Sequence, residues 1–250
     1  MLALAGLLSS AIATDAHAAQ DYCKYGDDLT LVLVDRTTEY DDLDRKIFVE
    51  GIDVLFASLK TGERVILQTI QEGYASSEKL FDSCLPGCPD VGMLQSLFSD
   101  CSGARAKGDE LRFKSELAKE IKDIVDTPES FARSDILLTL SALSDQYATL
   151  NASEKLSKLF VFSDLLENSE LLPWPQVASP STDHTLQRVK HAGALAKLNG
   201  AKVYVYGFGR LHDAARSSLT PQVRQALLKF WRAYFSESVG TDIHIEQRLD

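Results

Sequence analysis

The chain has 250 residues, with 36 acidic against 26 basic side chains and a formal net charge of −10. It is 45% hydrophobic and 25% charged, a globular balance that excludes a disordered acidic tail or a fibrous repeat. The negative excess argues against nonspecific nucleic-acid binding, which needs Lys and Arg to release counterions from phosphates.

Residues 1–13, MLALAGLLSSAIA, carry no charge, and Ala16-His17-Ala18 has the small-x-small form of a cleavage site. This reads as a secretory signal over residues 1–18, too short for a membrane span of about 20 apolar residues. The basic leading region of such signals is missing, and a buried Ala-rich N-terminal helix is the alternative. The signal predicts a periplasmic or secreted protein with no stable membrane span. Cys23, Cys84, Cys88 and Cys101 suit that destination: an even set predicts two disulfides in an oxidising compartment, with three pairings open. A four-thiolate zinc site is the weaker alternative, because Cys84-x-x-x-Cys88 lacks the paired C-x-x-C of common zinc modules.

In chain order, Leu29–Val34 is an apolar run suited to a strand buried on both faces. The polar loop Asp35-Arg36-Thr37-Thr38-Glu39 follows, then a helical pattern from Leu43 to Leu59 that Gly62 ends. Arg64–Ile70 is a second strand, completing a βαβ unit. Residues 71–108, with Cys84, Cys88 and Cys101, Pro86, Pro89 and five glycines, read as an irregular insertion. Helices are expected over 109–126 and 134–149, the second with Ile136, Leu137, Leu140, Leu143 and Tyr147 on one stripe. Leu159–Phe162 is a third strand. A Pro-rich loop holding Trp174 leads to a helix near 183–198, a fourth strand at Lys202–Tyr206 and the turn Gly207-Phe208-Gly209-Arg210. Thr220-Pro221 opens the last helix as N-cap and first-turn proline, and Ile243–Ile245 suggests an edge strand. The alternation predicts one α/β domain over 19–250, a doubly wound and mostly parallel sheet with helices on both faces.

Ligands of open parallel sheets bind beyond the carboxyl ends of the strands. Asp35, Thr37 and Glu39 follow the first strand, Ser134 and Asp135 start a helix, and Ser163 and Asp164 follow the third strand. Hard oxygen donors converging from three loops suit Mg²⁺. Asp41, Asp42 and Asp44 read first as a solvated helix start favoured by the helix dipole, with a role in orienting Thr37 as the alternative.

This pattern resembles the von Willebrand factor A domain family, whose adhesion site uses Asp-x-Ser-x-Ser after the first strand, a Thr from a middle loop and a later Asp. Asp35-Arg36-Thr37-Thr38-Glu39, Ser134 and Asp164 fall at those places, in element order over nearly the whole chain after residue 18. Thr37 replaces the first Ser as a hydroxyl donor. Glu39 replaces the second, where it could ligate directly, displace a water or spoil the site. Thr127 and Ser130 lie near Ser134 and compete for its place. The closing run, from Gly207-Phe208-Gly209-Arg210 to Phe230-Trp231-x-x-Tyr234-Phe235, is similar to exported bacterial members.

The resemblance implies Mg²⁺ or Mn²⁺ held by Asp35, Thr37, Ser134 and Asp164, directly or through water, with Glu39 as a further candidate. It also implies an open coordination position for an acidic side chain of a partner protein. Trp174 and Asp135 are the candidate partner contacts, with core packing the alternative for Trp174. A metal-free scaffold is the second reading, because Asp and Ser at these positions also cap helices and turns. An aspartate-dependent phosphohydrolase of the haloacid dehalogenase type is the third. Its Asp-x-Asp-x-Thr is met here only at the first Asp, since Thr37 and Glu39 occupy the other two places.

Overall fold

The computed structural model of the protein describes residues 20–90, 101–127, 131, 133–150, 154–179, 181–211 and 217–246. The signal expected over residues 1–18 and Ser130 lie outside them. The elements are β1 (Asp28–Asp35), α1 (Asp42–Ser58), β2 (Arg64–Ile70), β3 (Lys79–Cys84), α2 (Gly103–Asp126), α3 (Ile136–Leu150), β4 (Lys155–Phe162), α4 (Thr182–His191), β5 (Lys202–Tyr206), α5 (Pro221–Glu237) and β6 (Thr241–Ile245).

One six-stranded sheet has the order β3-β2-β1-β4-β5-β6. Only the β2–β3 pair is antiparallel. Side chains alternate across β1, so Leu31 and Leu33 enter one core layer and Val32 and Val34 the other. The first layer packs the sheet against α3, α4 and α5, with Phe230, Trp231, Tyr234 and Phe235 fully buried. The second packs it against α1 and α2. Gly51 lets α1 lie against the sheet: a Cβ there would come within 2.7 Å of Phe162 and 2.8 Å of Tyr206. The fold is therefore the expected α/β sandwich with helices on both faces.

Four local differences have physical causes. Part of the insertion is ordered as β3, an edge strand whose Phe81 meets Phe113 of α2 edge-to-face at 5.1 Å. β4 begins at Lys155 rather than Leu159, because Lys158 is buried against Glu63 with its ammonium 2.5 Å from Glu63 Oε1. α4 stops at His191, since Gly193 takes the left-handed conformation (φ 67°) and turns the chain away. The residues beyond it are held instead by Tyr234, whose hydroxyl accepts from the Ala196 amide at 3.1 Å.

The fourth difference is Asp44, which is not solvated but fully buried. Asp41 and Asp44 form a reciprocal capping box at the start of α1. The Asp41 Oδ1 atom accepts from the Leu43 and Asp44 amides at 2.9 Å each. Arg210 joins from the loop after β5, 3.1 Å from Asp41 Oδ1 and 3.6 Å from Asp44 Oδ1. Burial alone would raise the Asp41 carboxyl, but the amides and the Arg210 guanidinium hold it below its ordinary value.

The four cysteines pair as Cys23–Cys84 and Cys88–Cys101, with Cα separations of 5.1 and 5.6 Å. That leaves no free thiolate for zinc. Disulfides of this kind persist in oxidising compartments. No helix among the described residues is long and apolar enough to cross a membrane.

Candidate functional site

The strand order reverses between β1 and β4: β1 is followed by α1 on one face of the sheet and β4 by α4 on the other. In doubly wound sheets this is where a crevice opens at the carboxyl ends. The register places Val34 opposite Phe162, so Asp35 and Ser163 leave adjacent strand ends together.

Asp35 is fully buried and is the centre of the cluster. Its Oδ1 accepts from the Thr37 amide at 2.9 Å and the Thr37 hydroxyl at 2.6 Å. Its Oδ2 accepts from Ser163 Oγ at 2.7 Å and Ser134 Oγ at 3.3 Å. Thus three loops bring hydroxyls to one carboxylate. The Tyr40 hydroxyl donates to the Asp35 carbonyl oxygen and fixes the loop behind it.

Asp164 is also buried, and its Oδ1 accepts from the Leu166 amide at 3.0 Å. Burial, and next the charge of Asp164, push the Asp35 carboxyl above its ordinary value, although the Thr37 and Ser163 bonds pull it down. Desolvation and like charge therefore outweigh the donors that surround it. Between these groups Leu165 adopts a left-handed backbone (φ 58°), a conformation that costs a β-carbon residue roughly 1–2 kcal/mol. Its carbonyl oxygen accepts from Trp231 Nε1 at 2.9 Å, so α5 holds the turn in place.

The remaining candidates divide. Glu39 is exposed and lies outside the hydrogen-bonded set. Ser134 is not the cap of α3. It forms a backbone bridge with Asn168, and Asp135 caps the helix by accepting from the Leu138 amide at 3.3 Å. Burial raises the Asp135 carboxyl, and its position under the helix end explains its low exposure. Trp174 is half-buried against the core, with its amide donating to Asn168 Oδ1 at 3.0 Å. Thr127 ends α2, its hydroxyl donating to the Asp123 carbonyl, so it takes no part in the cluster.

Ser163 as a partner of Asp35 is the residue that the sequence reading left out of the ligand set. Its only signal was adjacency to Asp164 at the end of an apolar run. Glu167 and Asn168, which fix the start of α3, carried no signal at all.

The oxygen set is of the kind a hard divalent cation takes: two buried carboxylates of like charge, with the hydroxyls of Thr37 and Ser134 on Asp35. Among the described residues, no group of three or more His, Cys, Asp or Glu side chains is placed to hold a metal ion. The Asp35 cluster is of different composition, two carboxylates completed by hydroxyls. In comparisons with known proteins, no family model matches the chain and no curated sequence matches it.

Proposed function

We propose that this chain is an exported, cation-dependent protein-binding module resembling the von Willebrand factor A domains. Its Mg²⁺ or Mn²⁺ would be held at the sheet's switch point by Asp35, Thr37, Ser134 and Asp164. The observation that carries this reading is the convergence of hydroxyls from three loops on Asp35 beside a second buried carboxylate. A bound cation supplies Lewis acidity toward an incoming carboxylate. The chain's own residues orient the hydroxyls, exclude water from Asp35 and keep the two acidic groups apart from solvent. The paired charge is costly without a counterion, and that cost favours cation uptake. The expected partner is a protein that offers an acidic side chain, and the two disulfides suit a periplasmic or secreted setting.

A metal-free scaffold is the second reading, favoured by one observation: both Asp35 oxygens already accept hydrogen bonds within the protein. The phosphohydrolase reading still meets its motif only at Asp35, with Thr37 and Glu39 in the places of the second Asp and the Thr.

The test is thermal unfolding in EDTA, Mg²⁺ and Mn²⁺ for the wild type, Asp35→Ala and Asp164→Ala. A ligand specific to the folded state adds about 2.7 kcal/mol at a hundredfold excess over Kd. The expected result is a rise in midpoint with metal that both variants lose. An unchanged wild-type midpoint in millimolar metal would leave the scaffold reading standing.

A further inference from the structure

Glu167 lies three residues beyond Asp164 and is fully buried. Its Oε2 accepts from the Ile136 amide at 2.8 Å and the Leu137 amide at 3.0 Å. These amides belong to the first turn of α3, where a helix leaves its donors without intrahelical acceptors. A helix start is ordinarily capped by the residue just before it. Here Asp135 takes only the Leu138 amide, and the other two donors are taken by a side chain from a different loop.

That loop also grips the residue ahead of the helix. The Asn168 amide donates to the Ser134 carbonyl at 2.9 Å, and the Ser134 amide donates back to the Asn168 carbonyl at 3.3 Å. Ser134 is therefore held directly by Asn168, and the helix turn that follows it by Glu167, two consecutive residues of the loop that carries Asp164. A buried carboxyl is a costly way to cap a helix when a local Ser or Asp would serve. What it adds is a fixed spacing between two loops that both supply the candidate cation site. Such sites need their groups held within about 0.5 Å.

We propose that Glu167 is a positioning residue for the cation site, pinning the first turn of α3 so that the Ser134 hydroxyl stays on Asp35. The inference rests on the cation-binding reading above. Glu167 touches neither the cation nor the partner; it acts through the α3 backbone.

The experiment measures Mn²⁺ binding by the loss of the free-ion electron paramagnetic resonance signal, well below the melting temperature. It compares the wild type with Glu167→Gln, Glu167→Asp, Glu167→Ala and Leu143→Ala. Hydrogen exchange at the Ile136 and Leu137 amides is followed in metal-free protein. Glu167→Gln keeps an acceptor oxygen at the same reach and should retain affinity and amide protection. Glu167→Ala should weaken Mn²⁺ at least about tenfold, as losing an outer-shell partner does, and expose both amides. Glu167→Asp, one methylene too short, should do the same and serves if the alanine variant does not fold. Leu143→Ala, buried further along α3, should lower stability and leave affinity intact. Faster exchange with wild-type affinity in both Glu167→Ala and Glu167→Asp would overturn the proposal and make Glu167 an ordinary cap. A wild type that takes up no Mn²⁺ would instead remove the cation reading itself, and the positioning role with it.

Discussion

The Ser163 hydroxyl donates to Asp35 Oδ2 at 2.7 Å, a bond across 128 residues of sequence that joins the ends of β1 and β4 where the sheet order reverses. Thr37 holds the other oxygen from within the β1 loop. The carboxyl is nonetheless raised above its ordinary value, because burial and the charge of Asp164 act against these donors. Burial and like charge thus leave Asp35 favoured by a nearby positive charge.

Removing one donor should be costly in the metal-free protein. Ser163→Ala leaves Asp35 buried with one fewer bond, and hydrogen bonds to charged groups are worth about 1.5–3 kcal/mol. Urea denaturation in EDTA at neutral pH measures this together with the loss of the Leu165 amide's acceptor, Ser163 Oγ, at 3.0 Å. A loss below about 0.5 kcal/mol, the range of an ordinary surface substitution, would mean that Asp35 is neutral in the folded state or that water replaces the hydroxyl.

Stability should fall as pH rises from mildly acidic to mildly basic. Burial first, and Asp135 with it, push Glu167 from 4.5 up to about 8, against the pull of Ser169 and the Leu137 and Ile136 amides. Tyr234 is the other titratable side chain that senses it. The folded state keeps a proton that the unfolded chain releases above its ordinary carboxyl pKa. Stability contributed by this group is full below about 4.5 and is lost as pH climbs toward about 8. Asp35, also raised, acts in the same direction. Urea midpoints across this window should decline for the wild type and decline less for Glu167→Gln. A midpoint that rises with pH throughout the window would contradict the assignment.

The parts of the fold legible in the sequence were those written as local patterns. β1, β2 and β5 are short, mainly apolar and β-branched or aromatic runs, and α5 starts where Thr220-Pro221 places it, with the Thr220 hydroxyl accepting from the Val223 amide at 3.5 Å. Asp35 and Asp164 were legible for the same reason, as the first acidic residues after such runs. What was not legible depends on partners far along the chain. The start of β4 was hidden because Lys155, Ser157 and Lys158 break its apolar pattern, and Lys158 can be buried only where Glu63 waits. β3 was hidden because its exposed edge carries Lys79, Asp82 and Ser83. Glu167 reads as one more loop glutamate until the β4 loop is laid against α3.

The Lys158–Glu63 pair should be far more costly to break than to replace. Glu63 is fully buried, accepts from Lys158 through both oxygens, and also accepts from the Thr30 hydroxyl and the Lys60 amide. Lys158→Met removes the buried ammonium paired with that carboxylate and should cost about 3–5 kcal/mol. Lys158→Met combined with Glu63→Leu removes both charges and should recover a large part of the loss. Chemical denaturation of the two variants gives the comparison, and a double variant no better than the single would show that packing, not charge, sets the cost.

The two disulfides should contribute unequally. Cys23–Cys84 closes 61 residues and Cys88–Cys101 closes 13, so chain entropy alone assigns about 4 kcal/mol to the first and about 3 kcal/mol to the second. Their surroundings point the same way. Cys84 is buried with Tyr22 and Ala106, tying the lead into β1 to the sheet edge, whereas Cys88 and Cys101 are only partly buried. Alanine is the suitable replacement, because serine would bury a hydroxyl at Cys84. Guanidinium denaturation of Cys23→Ala/Cys84→Ala and of Cys88→Ala/Cys101→Ala should give the larger loss for the first pair. The opposite order would mean that the short loop restrains the start of α2 in the folded state, since unfolded-chain entropy cannot favour the smaller ring.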